Sequence, residues 1–190
     1  MYRDGSLKKY LDDLAAKLPA PGGGSAAAFS AGLGAALISM VVNFTLGKPK
    51  YAKYENELKD ILSKSERLRA EFLRLTDLDV IAYKSRNLRD ALNTPFMTAR
   101  LCAEGIKLCP PLLKKGNVNL ISDVAVAVAL LEAGFAGACV NVEINLKSLD
   151  DNKLARGIRK ELAQKAKLIK KIRIDTEDKV GKAIRRQTVS

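Results

Sequence analysis

Residues 26–46 run for twenty-one positions without a single charge, drawing mainly on Ala, Gly, Ser, Leu, Ile and Val. A stretch that long and apolar must be hidden from water, in a bilayer or in a protein core. It also carries Ser30, Ser39, Asn43 and Thr45. A second apolar run, 120–146, holds Asp123, Glu132, Asn141, Glu143 and Asn145. Charges and amides on apolar runs are costly in lipid, so both segments read as helices packed in a soluble bundle, with no membrane partner. Strand signals are nearly absent, and breakers divide the rest of the chain into helical stretches. Helices are expected over 6–17, 25–46, 51–92, 94–116, 119–149 and 152–186. The first should pack through Leu7, Tyr10, Leu11 and Leu14. Ser25 and Asn119 are the expected N-caps, Thr94-Pro95 the opening of the fourth helix, and Pro110-Pro111 its interruption. The expected fold is an all-α up-and-down bundle of long helices, one domain across 1–190. Small-residue faces on helices so long imply burial on more than one side, hence a helix-mediated homodimer.

The residue inventory narrows the chemistry. The chain has no His, which removes the commonest general base and metal ligand and leaves acid–base work to Asp, Glu, Lys or Tyr. Cys102, Cys109 and Cys139 match no zinc spacing and read as buried small hydrophobes in a reducing cytoplasm. No metal is expected. The net charge is +12, and 153–190 alone holds 13 Lys and Arg against 4 Asp and Glu. A polyanion such as nucleic acid would be attracted to that segment. However, Ala155, Ile158, Leu162, Ala166, Ile169, Ile172 and Val180 keep helical spacing there, which reads as an amphipathic helix with a solvated face. Aromatic residues are sparse and no nucleic-acid motif is present, so a basic nucleic-acid-binding or scaffold role is the more distant reading.

Three places put polar groups where packing alone would not. Pro19-Ala20-Pro21-Gly22-Gly23-Gly24-Ser25 leads into the first apolar run, and a helix opening there offers backbone N–H groups without helical partners. The turn is neither a Walker motif nor a Rossmann fingerprint, so nucleotide cofactors are not expected. Leu68, Phe72, Leu75, Asp79 and Ala82 follow spacings of 4, 3, 4 and 3, which sets Asp79 on a core-facing stripe. Such a carboxylate needs either a basic partner or a use in proton transfer. Asp123 and Asn141 stand eighteen residues apart, five full turns. They point the same way but lie about 27 Å apart along the axis. Asn43 has the same relation to Ser25. One small centre cannot touch both ends of either pair. An elongated ligand, or a site shared with another subunit, can.

Leu18 to Ala28, Met40-Val41-Val42-Asn43-Phe44-Thr45 and Lys48 to Tyr51 resemble the opening of the formiminotransferase-cyclodeaminase C-terminal domain family, which includes stand-alone methenyltetrahydrofolate cyclohydrolases. Asp79-Val80-Ile81-Ala82-Tyr83 resembles its Asp-x-x-Ala-aromatic segment. Gly116 to Asp123 and Asn141 to Leu146 resemble its two later motifs. The resemblance covers about residues 5 to 150, in order. It implies an all-helical dimer acting on a tetrahydrofolate that carries a one-carbon unit, with no metal and no separate cofactor. Formiminotetrahydrofolate cyclodeaminase is the leading expectation and methenyltetrahydrofolate cyclohydrolase the alternative. The transferase half is absent, which leaves a separate formiminotransferase as a candidate partner. Asp123, then Asp79, are the implied proton-transfer carboxylates. Gly22, Gly23, Gly24, Ser25, Asn119, Ser122, Asn141 and Asn145 are the implied pterin contacts, Asn43 is a further implied substrate contact, and Lys48 and Lys50 suit the anionic glutamate tail.

Overall fold

The computed structural model describes residues 1–85, 87–149 and 151–187, with the backbone alone at 186 and 187. The expected helix across 51–92 and the basic tail to 190 therefore fall partly outside the described residues. Among the described residues seven α-helices follow in order: α1 (Leu7–Ala15), α2 (Gly23–Asn43), α3 (Glu55–Ser85), α4 (Leu88–Gly105), α5 (Cys109–Lys115), α6 (Ile121–Leu146) and α7 (Asn152–Gln187), with short 3-10 turns between some of them. No strand occurs among the described residues.

The uncharged run becomes α2 and takes the middle of the bundle, with α3 on one side and α6 on the other. Both neighbours run antiparallel to it. Ser25 meets Thr76 and Ser39 meets Ser65 on α3. On α6, Gly34 lies against Leu131 and Gly134 against Ala31. A Cβ at Gly34 or Gly134 would come within 2.9 Å of those neighbours, so the small residues let the two helices close on each other. Ala28, Ala31, Ala35, Ile38, Val41 and Val42 are fully buried. On α7, Ala155, Ile158, Leu162, Ile169 and Val180 face inward as the periodicity predicts, whereas Ala166 is exposed and Ile172 half-buried.

Several boundaries differ from expectation, each for a local reason. Gly22, not Ser25, is the N-cap of α2, and Ser25 is buried within its first turn. Thr94-Pro95 does not open a helix. The cap is Asn87, whose Oδ1 accepts from the N–H groups of Arg89 and Asp90, and Pro95 lies inside α4. Pro95 cannot donate to the Ala91 carbonyl one turn back. Asn145 of α6 donates its Nδ2 to that carbonyl at 2.6 Å, which makes the interior proline tolerable. Pro110 and Pro111 occupy the first turn of α5, so the break falls just upstream, in a 3-10 turn at Ile106–Leu108. Asn119 is not the cap of α6. Asn117 caps the preceding 3-10 turn, accepting from the Asn119 N–H, and α6 starts at Ile121. On α1 only Tyr10 is buried; Leu7 and Leu11 face solvent.

α6 is less enclosed within the chain than α2. By length and composition both α2 and α6 could cross a membrane, yet 61% of the most apolar stretch of α2 is buried and only 39% of that around α6. Val126, Ala129, Ala133, Ala136, Val140 and Ile144 form an exposed, uncharged stripe along α6.

Candidate functional site

The N-terminus of α2 is enclosed on two sides. Asp79, from the C-terminal half of α3, accepts the Ser25 N–H on its Oδ2 at 2.9 Å. Gly24 is the closest point of approach: a Cβ there would lie 2.1 Å from Asp79 Oδ1. On the other side a Cβ at Gly23 would sit 3.5 Å from the Asn141 amide of α6. Each glycine thus leaves space for one polar side chain. No partner for the N–H groups of Gly23 and Gly24 occurs among the described residues, so two donors stay open between a carboxyl and an amide.

Asp79 is half-buried, as its place on the stripe predicts, but it pairs with no Lys or Arg among the described residues. Burial pushes its carboxyl above the ordinary 3.8, and the Ser25 N–H pulls only part of the way back. The group therefore holds its proton more readily than a surface aspartate does. Ser25 is fixed from behind. Its Oγ donates to the Thr76 carbonyl at 2.9 Å and lies 3.2 Å from the buried Tyr10 hydroxyl. With the serine proton spent on Thr76, Tyr10 is the donor of that second bond. Burial, with a further push from the charge of Asp79, raises the Tyr10 phenol against the pull of Ser25. Tyr10 and Ser25 thereby set the N–H on which Asp79 rests. Tyr10 escaped the sequence reading as a site residue because its aromatic ring also fits a plain core position.

Asp77 escaped it too. It is 5% exposed and accepts the Tyr2 N–H at 2.7 Å, tying the N-terminal turn to α3. It lines a cleft of about 340 Å³ with Tyr2, Lys9, Val80, Ile81 and Lys84, on the opposite face of α3 from Asp79.

The other expected residues divide between this end and the far one. Asn141 joins Gly23, but its Nδ2 donates to Gly137 of its own helix, which leaves Oδ1 without a partner among the described residues. Asn145 gives one N–H of its Nδ2 to the Ala91 carbonyl at 2.6 Å, a bond between α6 and α4. At the far end, Asn43, Lys48, Lys50, Asn119 and Ser122 are exposed and Asp123 is half-buried, with no side-chain hydrogen bond on Asp123 among the described residues. The order there comes from unexpected residues. Asn117 N–H donates to Thr45 Oγ1 at 2.9 Å, Asn117 Nδ2 to the Phe44 carbonyl at 3.4 Å, and Val118 N–H to the Tyr51 hydroxyl at 3.2 Å. Asp79 and Asp123 do not converge within one chain. Asp123 and Asn141 are eighteen positions apart on α6, about 27 Å of helix.

Cys102 and Cys109 are buried and Cys139 is half-buried. Burial pushes Cys109 up to about 12 and Cys139 up to about 11, so none of the three is a poised nucleophile. A carboxyl that gives up its proton less readily than a surface aspartate, beside open N–H donors and an amide, suits general acid work on a nitrogen-containing substrate.

The profile of the family described as formiminotransferase-cyclodeaminase matches residues 6–87 and 84–164. A methenyltetrahydrofolate cyclohydrolase from Methylorubrum extorquens is 39% identical over 83% of this chain and 86% of its own length. The formimidoyltransferase-cyclodeaminase of Rattus norvegicus is 30% identical over 78% of this chain, which spans about a third (32%) of that longer protein. A crystal structure of formiminotetrahydrofolate cyclodeaminase from Thermotoga maritima superposes with a TM-score of 0.91 at 27% identity, covering 97% of this chain and 100% of that one.

Proposed function

The chain belongs to the formiminotransferase-cyclodeaminase family, and on that premise we propose that it hydrolyses 5,10-methenyltetrahydrofolate to 10-formyltetrahydrofolate. The observation that carries this choice is the 39% identity to a free-standing cyclohydrolase along most of both chains. The leading expectation from sequence, cyclodeaminase, becomes the second reading. Its support is the full-length superposition on a cyclodeaminase at a TM-score of 0.91.

Both reactions work on one carbon held between N5 and N10 of the folate. In the hydrolysis, water adds to the cationic methenyl carbon and gives up a proton. The C–N5 bond then breaks as the hydroxyl gives up its own proton, N5 takes a proton, and the carbon keeps the oxygen as a formyl group on N10. The balance is one water consumed and one proton released, with no redox step. Asp79 is the acid in this scheme: burial keeps its carboxyl protonated longer, and the departing N5 needs that proton. Asp123 balances the cation and accepts the proton from water across a site shared between subunits, which its place about 27 Å along α6 from Asn141 calls for. The Gly23 and Gly24 N–H groups and Asn141 Oδ1 match the carbonyl and N–H groups of the pterin ring. Lys48 and Lys50 are exposed, as contacts to a carboxylate tail would be. In the second reading N10 attacks a formimino carbon, and the same acid protonates departing ammonia.

The absorbance of the methenyl bridge separates the readings. Accelerated loss of supplied methenyltetrahydrofolate supports hydrolysis. Appearance of the same band from 5-formiminotetrahydrofolate, with ammonia released, supports the cyclodeaminase. No change from either substrate refutes both and leaves a non-catalytic scaffold.

A further inference from the structure

Tyr2 stands between two spaces. Outside it lies the cleft of about 340 Å³ that it shares with Lys9, Asp77 and Lys84. Inside it lies a smaller cavity of about 120 Å³, walled by Tyr2, Ser6, Tyr10, Phe29, Leu73 and Thr76. Gly5 also borders both spaces but has no side chain, so the Tyr2 ring is the side chain that divides them. Two of the inner walls, Tyr10 and Thr76, are the groups that bond Ser25, whose N–H holds Asp79. The rings form a row. Tyr2 meets Tyr10 nearly at right angles with centroids 5.2 Å apart, and Tyr10 meets Phe29 of α2 at 5.1 Å. The turn that carries Tyr2 has no buried residue and α1 buries only Tyr10, so the N-terminal segment is seated mainly through this row.

We propose that Tyr2 is a positioning residue for the Asp79 acid: its ring plugs the passage between the outer cleft and the inner cavity, seats Tyr10 against Ser25, and so keeps water from the Asp79 carboxyl. Its bearing on turnover rests on the folate reading; its bearing on the carboxyl does not. The plug is anchored at two points. Tyr2 N–H donates to Asp77 Oδ1 at 2.7 Å, and the Tyr2 hydroxyl donates to Asp13 Oδ2 at 2.8 Å. The first bond comes from the backbone, so the ring can be removed while the turn keeps its attachment to α3. Among the described residues no charged side chain pairs with Asp79. α2 brings the Gly24 and Ser25 backbone to it, α6 the Asn141 amide beyond Gly23, and α1 the Tyr10 phenol. Asp90 of α4 lines a neighbouring groove with Leu78 and Ala82. Burial is therefore the force that holds this carboxyl above its ordinary value, and water entering past Tyr2 undoes burial.

A graded series at Tyr2 tests this in the intact chain. Tyr2→Phe keeps the ring and loses only the Asp13 bond, Tyr2→Leu fills part of the passage, and Tyr2→Ala opens it. Carbon-13 resonances of labelled aspartate, with Asp79 assigned by its loss in Asp79→Asn, follow the carboxyl through its titration without any substrate. The Phe variant should titrate as the wild type does, the Ala variant should fall toward the ordinary 3.8, and Leu should lie between. Turnover of methenyltetrahydrofolate should follow. In Tyr2→Ala, kcat at neutral pH drops about 3–10-fold and its decline with rising pH starts earlier, while KM stays within about twofold. A plain packing role would lower the melting temperature and leave the Asp79 titration in place. An Ala variant that titrates with the wild type, or a Phe variant shifted as far as Ala, overturns the proposal. A lowered titration with an unmoved rate profile upholds the plug and refutes Asp79 as the folate acid instead.

Discussion

The two ends of the α2–α6 pair are built from the same materials, glycines, asparagines and one aspartate, and use them in opposite ways. At the α2 N-terminus the polar groups are tightly placed. Asp79 is bonded to Ser25, Ser25 to Thr76 and Tyr10, and Gly24 leaves no room for a side chain. At the far end the buried polar work falls to Asn117, Thr45 and Tyr51, while Asn119, Ser122 and Lys48 face solvent and Asp123 has no side-chain hydrogen bond among the described residues. One end is preorganised and pays for this with a partly desolvated carboxyl; the other has a rigid base and a loose rim. Preorganisation favours the chemical step, whereas a loose rim suits groups that are completed by something else.

The largest effect that would break this contrast is at Gly24. Gly24→Ala forces a methyl against Asp79, and we expect at least ~100-fold loss of turnover with about 1–3 kcal/mol of stability lost, read from kinetics and denaturant melts. The same change at Gly22, where a Cβ would meet nothing within 4 Å, should cost far less in turnover. A smaller effect is expected at Asn117. Asn117→Ala removes two hydrogen bonds beneath the rim and should cost about 1–2 kcal/mol in a urea melt. Asn119→Ala, at an exposed side chain, should stay within about 0.5 kcal/mol. If Asn119 proves the costlier of the two, the division into rigid base and loose rim fails.

A gentler probe is pH. Because the folded carboxyl of Asp79 sits above its ordinary 3.8, the native state binds that proton more tightly than the unfolded chain does. Its contribution to stability is best below 3.8, falls as pH rises through the raised folded value, and is flat beyond it. Asp79→Asn keeps an acceptor for the Ser25 N–H and cannot ionise. The melting temperature of the wild type should therefore decline relative to that of the variant across the acid range. A gap independent of pH would mean that Asp79 titrates like a surface carboxylate.

The sequence made the bundle legible because its signal is long-range and repetitive: twenty-one uncharged positions at 26–46 and a basic helix with regular apolar spacing leave few alternatives. Asp79 was legible for the same reason, as a charge on an apolar stripe. What escaped were local competitions settled by tertiary contacts. Ser25 looks like a cap, yet its hydroxyl is worth more inside, between Tyr10 and Thr76. Thr94-Pro95 looks like a helix start, but Asn145 supplies from α6 the donor that Ala91 loses, so α4 runs through. Asp123 ranked above Asp79 on its motif; the bonding at α2 is the ground on which the proposed reaction gives Asp79 the acid's part.

The account depends most on Asp79 as a proton donor to the folate bridge. The decisive measurement is the rate of methenyltetrahydrofolate loss with wild type and with Asp79→Asn, at matched folding by circular dichroism and across a pH series. The account predicts that kcat falls by about 10²–10⁴ in the variant, and that the wild-type rate declines as pH rises through the raised carboxyl value while the variant's residual rate does not. A variant that turns over like the wild type, with the same pH profile, would contradict it.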